Sequence, residues 1–87
     1  MEAFGIGEAV KAMHNGNRVA RAGWNGKGMW LALVDGNRWA FDDRNLPLLS
    51  GEVRLLPWVG MKTADNGFIP WLCSQADLLA VDWSIVA

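Results

Sequence analysis

Apolar residues at helical spacing mark the beginning of the chain. They recur every three or four positions and are separated by polar residues such as Glu8 and Lys11. The apolar positions are Ile6, Ala9, Val10 and Met13. Gly16 follows the last turn, at the place that a left-handed residue takes after many helices. The pattern predicts an amphipathic helix over residues 6–15.

Two extended segments follow, with a glycine-rich turn between them. The first is predicted as a strand over Arg18–Arg21 and the second as a strand over residues 29–34. Three glycines lie in the six residues 23–28. The second strand is apolar on both of its alternating faces, so we expect one face to pack on the helix and the other on a neighbouring subunit.

The middle of the chain predicts, in order, a turn, a short strand, a loop and a longer extended segment. These cover residues 35–37, 38–41, 42–51 and 52–63. An Asp-Asn-Gly sequence at residues 65–67 then predicts a hairpin turn. Phe68 and Ile69 begin the return strand, before the proline at position 70.

The end of the chain predicts a short helix and a last strand. Ser74 and Asp77 form a Ser-x-x-Asp pattern, which is typical of a helix N-terminus, and the helix is expected to run through Ala80. Residues 83–86 then form a closing strand. The sequence therefore predicts an α+β fold, a mostly antiparallel sheet with two helices, in one domain over residues 1–87.

Tryptophan is unusually frequent, with six in 87 residues. Each brings roughly 150–250 Å² of surface that prefers burial with its ring N–H hydrogen-bonded. A chain this short buries only about 60% of its surface, and its apolar fraction is 52%. We therefore expect a homo-oligomer, in which the tryptophans serve packing, subunit contact or ligand contact.

Net charge and cysteine content limit the classes of binding partner and the cellular compartment that fit this sequence. The formal net charge is −1 with both signs interspersed, so no basic surface for polymeric nucleic acid is expected. Local cations and backbone amides could still hold a small anion. Cys73, the single cysteine, fits a reducing compartment and is interpreted as a small buried apolar residue. Because neither a leader pattern nor an apolar run of about 18 residues is present, we expect a cytoplasmic protein without membrane contact.

The glycine-rich turn is the first candidate site. Trp24 offers a flat surface for a base or sugar, Asn25 a donor and an acceptor, and Lys27 a point charge. Glycines such as Gly26 let backbone N–H groups approach an anion closely. The alternative is a tight hairpin with an exposed lysine.

The second candidate site combines an aromatic ring, a cation and hydrogen-bonding groups near the predicted short helix. Its members are Lys62, Thr63, Trp71, Ser74, Gln75 and Asp77. A helix N-terminus is itself favourable for an anion. The alternative for Ser74 and Asp77 is a purely structural capping role.

Side chains for catalysis are sparse. His14, the single histidine, is expected in the last turn of the first helix, far in sequence from Cys73. Nucleophilic catalysis needs a base within reach of the nucleophile, and a metal needs a cluster of ligands. Asp65, Asp77 and Asp82 show no spacing typical of an acid–base pair and are interpreted as solvated or capping residues. We expect a binding protein that is not an enzyme and holds no cofactor and no metal.

Three blocks of the sequence resemble a known family. They are Arg21-x-Gly-Trp-Asn-Gly-Lys-Gly-Met29, Met61-Lys-Thr-Ala-Asp65 and Pro70-Trp-Leu-x-Ser-Gln-x-Asp-Leu-Leu-Ala80-x-Asp-Trp83. Over nearly its whole length the chain resembles the phage Thoeris anti-defence proteins of the second type. The resemblance implies a homotetramer that sequesters glycocyclic ADP-ribose, a messenger made by bacterial TIR-domain defence enzymes. It also implies that some members hold cyclic dinucleotides at separate sites.

The two candidate sites and the resemblance together give ten candidate ligand contacts. They are Trp24, Asn25, Gly26, Lys27, Lys62, Thr63, Trp71, Ser74, Gln75 and Asp77. The resemblance implies that tight stoichiometric binding lowers the free messenger concentration, so that the host effector is never triggered. An enzyme that degrades the same messenger and a structural or partner-binding subunit are the alternatives.

Overall fold

A computed structural model describes residues 2–24, 27–35 and 55–86 of the chain. The elements are α1 (Ile6–His14), β1 (Arg18–Arg21), a 3₁₀ turn (Ala22–Trp24), β2 (Trp30–Val34), β3 (Trp58–Lys62), β4 (Phe68–Pro70), α2 (Gln75–Leu79) and β5 (Trp83–Val86). Among the described residues the strands form one antiparallel sheet in the order β4-β3-β2-β1-β5. This confirms the predicted α+β fold.

Helix α1 ends at the predicted glycine. The N–H of Gly16 donates to the carbonyl of Met13, and the N–H of Asn17 donates to the carbonyl of Ala12, both at 3.0 Å. Gly16 has a φ of 88°. These two bonds form a Schellman motif, which satisfies carbonyl groups at the helix end. His14 lies in the last turn, as predicted, and its side chain is exposed.

The core lies between α1 and the sheet face that α1 covers. Val19 of β1 and Leu31 of β2 oppose each other in the ladder and are fully buried, as is Trp83 of β5. The buried α1 residues that complete this cluster are Ala9, Ala12 and Met13. One face of β2 therefore packs on the helix, as predicted. The predicted contact of its other face with a neighbouring subunit stays a prediction.

The order of the strands brings the end of the chain back to its beginning. β4 lies at one edge of the sheet, and after α2 the chain reaches the other edge, where β5 pairs with β1. In that ladder Arg21 lies opposite Trp83. Phe4 also exchanges two backbone hydrogen bonds with Trp83, at 2.8 and 3.0 Å. The segment around α2 consequently lies beside the glycine-rich turn that follows β1.

The β3–β4 hairpin contains the turn predicted at residues 65–67. The N–H of Thr63 donates to the carbonyl of Gly67 at 2.8 Å and closes the turn. Asn66 has a φ of 70°, a left-handed conformation that asparagine adopts more readily than most residues. The turn is confirmed, with the positive φ on the asparagine.

The sheet face away from α1 carries an aromatic group over Gly60. The Phe68 ring packs against Trp30 and Trp58, with centroids 6.2 and 6.0 Å apart. A Cβ atom at position 60 would lie 2.3 Å from the Phe68 ring, far inside van der Waals contact. The absence of a side chain at Gly60 therefore leaves the space that the Phe68 ring occupies over β3.

The bounds of several predicted elements change slightly. β2 begins at Trp30, one residue later than predicted, and β3 covers Trp58–Lys62 within the described part of the predicted extended segment, residues 55–63. α2 ends at Leu79, with Ala80 as its C-cap. The predicted features between positions 36 and 54 lie outside the described residues. Within the described ranges, no helix has the length and apolar content that a bilayer crossing requires.

Cys73 differs from its interpretation as a buried residue. It is exposed, in the connection between β4 and α2. The interpretation was wrong because this connection runs outside the core that α1 and the sheet enclose. Local burial of the sulfur, followed by the nearby Asp77 carboxylate, raises the pKa of the Cys73 thiol. At neutral pH the thiol is therefore protonated and a weak nucleophile.

Candidate ligand site

Two candidate ligand residues from different parts of the sequence meet at Trp83. The ring centroids of Trp24 and Trp71 lie 5.5 and 6.0 Å from that of Trp83, with interplanar angles of 79° and 86°. Such edge-to-face contacts are favourable because a positive ring edge meets a negative ring face. Trp83 is fully buried, whereas Trp24 and Trp71 are half-buried. These three residues, here termed the tryptophan cluster, join the glycine-rich turn to the segment before α2.

Ser74 and Asp77 close the N-terminus of α2. The N–H of Asp77 donates to Ser74 Oγ at 3.0 Å, and the N–H of Ser74 donates to the Asp77 carboxylate at 3.4 Å. This capping box confirms their capping interpretation. The indole N–H of Trp83 donates to the backbone carbonyl of Asp77 at 3.1 Å. The cap therefore also orients the central ring of the tryptophan cluster.

Arg21 forms ion pairs with two aspartates. Its Nη1 donates to Asp77 Oδ1 at 2.8 Å and its Nε to Asp82 Oδ1 at 2.9 Å. The side chains of Arg21, Asp77 and Asp82 are 21%, 13% and 32% exposed. The other oxygen of Asp82 accepts the N–H of Gly23 at 2.8 Å. This arginine–aspartate triad (Arg21, Asp77 and Asp82) thus extends to the glycine-rich turn.

These hydrogen bonds keep the triad ionised. The bond from Arg21, followed by that from the Gly23 N–H, holds the pKa of Asp82 below its usual value. Partial burial alone would raise the pKa of Asp77, but the bonds from Arg21 and Ser74 outweigh it and lower that pKa. Hydrogen bonds to Asp82 and then Asp77 raise the pKa of Arg21. Two carboxylates against one guanidinium leave a net negative charge, so Arg21 does not attract an anion.

A second link between the two candidate sites lies at the end of β3. Lys62 Nζ donates to the backbone carbonyl of Gly28 at 3.0 Å, which fastens the glycine-rich turn to the sheet. Lys27, one residue earlier in that turn, is exposed. Since Arg21 is neutralised, Lys27 and Lys62 are the cations that the described part of the two candidate sites retains, and Lys62 lies on the sheet face away from α1.

Thr63 has a structural task in the hairpin turn. Its hydroxyl accepts the N–H of Gly67 at 2.8 Å and donates to the Asp65 carboxylate. The bond from Thr63, followed by backbone N–H groups of the turn, lowers the pKa of Asp65. Contact of Thr63 with a ligand stays a prediction.

Two cavities of the described residues lie away from the candidate contacts. They measure about 300 and 480 Å³ and lie where α1 ends beside β1 and β2. Both are lined in part by Met13, Gly16 and Leu33. None of the eight predicted contacts that the structure describes lines either cavity.

Comparison with known proteins identifies the family of this chain. A family model for the Thoeris anti-defense 2-like domain matches residues 4–86. The chain is also 41% identical over 86 residues to "Thoeris anti-defense 2" of Bacillus phage SP01, an alignment that covers 94% of this chain and 93% of that protein. The chain belongs to the Thoeris anti-defence 2-like family. Membership confirms the resemblance carried by the three sequence blocks and supports a phage anti-defence role.

In this Thoeris anti-defence 2-like chain, the structure brings only some of the predicted contacts together. Trp24 and Trp71 meet at Trp83, with the Ser74–Asp77 cap beside them. Gln75 is exposed at the first position of α2. Asn25 and Gly26 lie outside the described residues.

Sequence reasoning missed the residues that connect the predicted contacts. Trp83 is the common neighbour of the two half-buried tryptophans, and Arg21 and Asp82 connect their segments. All three lie inside the blocks that carry the family resemblance, which was the available signal. Their roles depend on contacts across 56 and 61 residues of sequence, which no local spacing indicates.

Proposed function

We propose that this protein sequesters glycocyclic ADP-ribose, the nucleotide-derived messenger that the family resemblance implies, and releases it chemically unchanged. The observation that carries the proposal is the full-length similarity to a protein named Thoeris anti-defense 2. Sequestration in the host cytoplasm would prevent the messenger from reaching the Thoeris effector.

The described site offers groups suited to such a ligand. The exposed parts of Trp24 and Trp71 provide apolar ring surface, on which a base stacks with about 1–3 kcal/mol per contact. Lys27, beside Trp24, provides positive charge for phosphate groups, whereas Lys62 lies on the sheet face away from the tryptophan cluster. Stacking together with charge-assisted hydrogen bonds can supply tight binding without any bond being broken.

Sequestration places demands on affinity and abundance, not on turnover. The protein must provide sites in excess of messenger, with a dissociation constant below the concentration that triggers the effector. Catalysis would instead require an activated nucleophile or a positioned acid and base. The carboxylates of Asp77 and Asp82 are held ionised by Arg21, so neither is poised to protonate a leaving group at neutral pH.

We further propose that the protein acts as a homotetramer. Leu72, Leu79 and Val81 are exposed around α2, beside the candidate site, and apolar side chains of this size favour a covered surface. A pocket between subunits would exclude water from the ligand. Light scattering at micromolar concentration should give four times the 9.6 kDa chain mass, and a monomer would contradict this part of the proposal.

Messenger recovery tests the central proposal. Glycocyclic ADP-ribose is mixed with excess protein, the free pool is measured by chromatography, and the mixture is then boiled and measured again. We expect the messenger to vanish from the free pool and to reappear unchanged after boiling. Loss beyond one equivalent per site would identify an enzyme, and no loss from the free pool would leave a structural or partner-binding role.

Alanine variants locate the site. Trp24→Ala and Trp71→Ala should each weaken messenger binding at least about tenfold while the oligomer persists. Trp58→Ala is the matched control, since Trp58 is also half-buried but lies on the sheet face away from α1. Equal affinity of all three variants and the unmodified protein would show that the site lies elsewhere.

A further inference from the structure

Arg21 occupies an unusual position between the two candidate sites. One arm of its guanidinium group binds Asp77, in the cap of α2, and its Nε binds Asp82, just before β5. The side chain is only 21% exposed. Strand β1 and the distant segment that runs from α2 to β5 are therefore held together by one planar group.

Each aspartate also accepts hydrogen bonds from one of the two candidate sites. Asp82 accepts the N–H of Gly23, the residue before Trp24, and its backbone carbonyl accepts the N–H of Ala22 at 3.1 Å. Both bonds fix the start of the glycine-rich turn. The 3₁₀ turn that presents Trp24 is consequently held from the Asp82 side.

Asp77 accepts hydrogen bonds from the segment before α2 and from Trp83. Its second carboxylate oxygen accepts the Ser74 hydroxyl at 2.9 Å, which holds the segment that follows Trp71. Its backbone carbonyl accepts the indole N–H of Trp83. A continuous set of hydrogen bonds thus runs from the backbone of Gly23, beside Trp24, through the triad to the indole of Trp83.

We propose that Arg21 is a positioning residue for the messenger, one that fixes Trp24 and Trp71 at the spacing that binding requires without touching the ligand. The inference rests on the proposed function. Its physical basis is preorganisation: a site already held in its bound geometry loses less conformational freedom when the ligand binds. Direct contact of Arg21 with an anion is disfavoured because two carboxylates already surround the guanidinium group.

Arg21→Lys is the first test, with glycocyclic ADP-ribose as the probe. Lysine keeps the charge but is a point donor that cannot hold both carboxylates in one planar fork. We expect at least about tenfold weaker binding, measured where every variant is folded and assembled. Arg18→Lys is the matched control, because Arg18 lies on the same strand with its guanidinium 5.0 Å above the Trp30 ring and should bind normally when changed. Unchanged affinity of Arg21→Lys would overturn the proposal.

Asp82→Asn distinguishes a positioning role of the triad from a purely electrostatic one. It also tests the proposal if Arg21→Lys fails to fold. Removing a negative charge near an anionic ligand should tighten binding if the triad acts only through its electric field. Positioning predicts the opposite sign, weaker binding, because the bonds to Arg21 and Gly23 are weakened. Tighter or unchanged binding by Asp82→Asn therefore overturns the proposal, whatever its melting temperature.

The near-UV circular dichroism of the tryptophans gives a third measurement in the absence of ligand. A positioning role predicts that Arg21→Lys alters the spectrum of the assembled protein, whereas Lys11→Arg, a change at an exposed residue of α1 that pairs with Glu8, leaves it unchanged. An unaltered Arg21→Lys spectrum would contradict it. Failure of the proposed function is distinguishable, since the unmodified protein and the Arg18→Lys control would then also fail to retain the messenger.

Discussion

The tryptophan cluster and the β3–β4 hairpin are both rich in aromatic residues but are stabilised in different ways. Hydrogen bonds around the cluster span 56 and 61 residues, and its central ring is fully buried. The side-chain bonds of the hairpin turn span two and four residues and lie near the surface. Changes in the cluster should therefore alter the fold and the site together, whereas changes in the hairpin should act locally.

The largest effect is expected from Trp83→Ala. Removing a fully buried aromatic side chain typically lowers the free energy of unfolding by about 3–5 kcal/mol, a large part of the stability of a small domain. Trp58→Ala, in the half-buried hairpin group, should cost clearly less. Urea denaturation at one fixed protein concentration measures both.

A second control isolates the hydrogen bond of the same residue. Trp83→Phe retains ring packing but removes the N–H that donates to the Asp77 carbonyl. Its free energy of unfolding should lie between that of the unmodified protein and that of Trp83→Ala. Equal free energies of unfolding for Trp83→Ala and Trp58→Ala would contradict the expectation that the tryptophan cluster contributes more to stability than the hairpin.

An intermediate effect is expected in the hairpin from Gly60→Ala. The new methyl group would lie 2.3 Å from the Phe68 ring, and overpacking of this kind costs roughly 1–3 kcal/mol. The exposed Phe68 ring can move aside, so the cost should fall when Phe68→Leu is added. Thermal unfolding of the single and double variants tests this, and equal destabilisation by both would rule out the ring as the cause.

The smallest effect concerns acid stability. Hydrogen bonds lower the pKa values of Asp77 and Asp82 in the triad and of Asp65 in the hairpin. A carboxylate with a depressed folded-state pKa contributes stability that is complete above its unfolded value of about 3.9 and is lost as the pH falls through the folded value. The free energy of unfolding should thus be flat from neutral pH to about pH 5 and should decline below about pH 4.

Two variants measure how much the triad and the hairpin each contribute to this loss of stability at low pH. Asp82→Asn should flatten the pH dependence more than Asp65→Asn, since Asp82 is bonded to a guanidinium group and Asp65 to a hydroxyl and backbone N–H groups. Denaturant titrations from pH 2 to pH 7 compare the slopes. A steeper slope in Asp82→Asn would contradict the assigned direction of its pKa.

Much of the fold followed from local patterns in the sequence. The helical spacing and Gly16 predicted α1 and its end, Asp-Asn-Gly predicted the hairpin turn, and Ser74 with Asp77 predicted the capping box. Each of these features depends on residues at most a few positions apart. Backbone geometry and nearest-neighbour hydrogen bonds are sufficient to specify them.

Only the tertiary structure decided how the candidate site is assembled. The sequence named Trp24 and Trp71 but not Trp83 as their common neighbour, and Arg21 had no predicted partner. The position of β5 beside β1 sets those contacts, because it places the end of the chain against its first strand. The same arrangement leaves Cys73 outside the core. Spacing along a chain determines local hydrogen bonds, but the order of strands in a sheet depends on the burial of the whole core, which no single segment encodes.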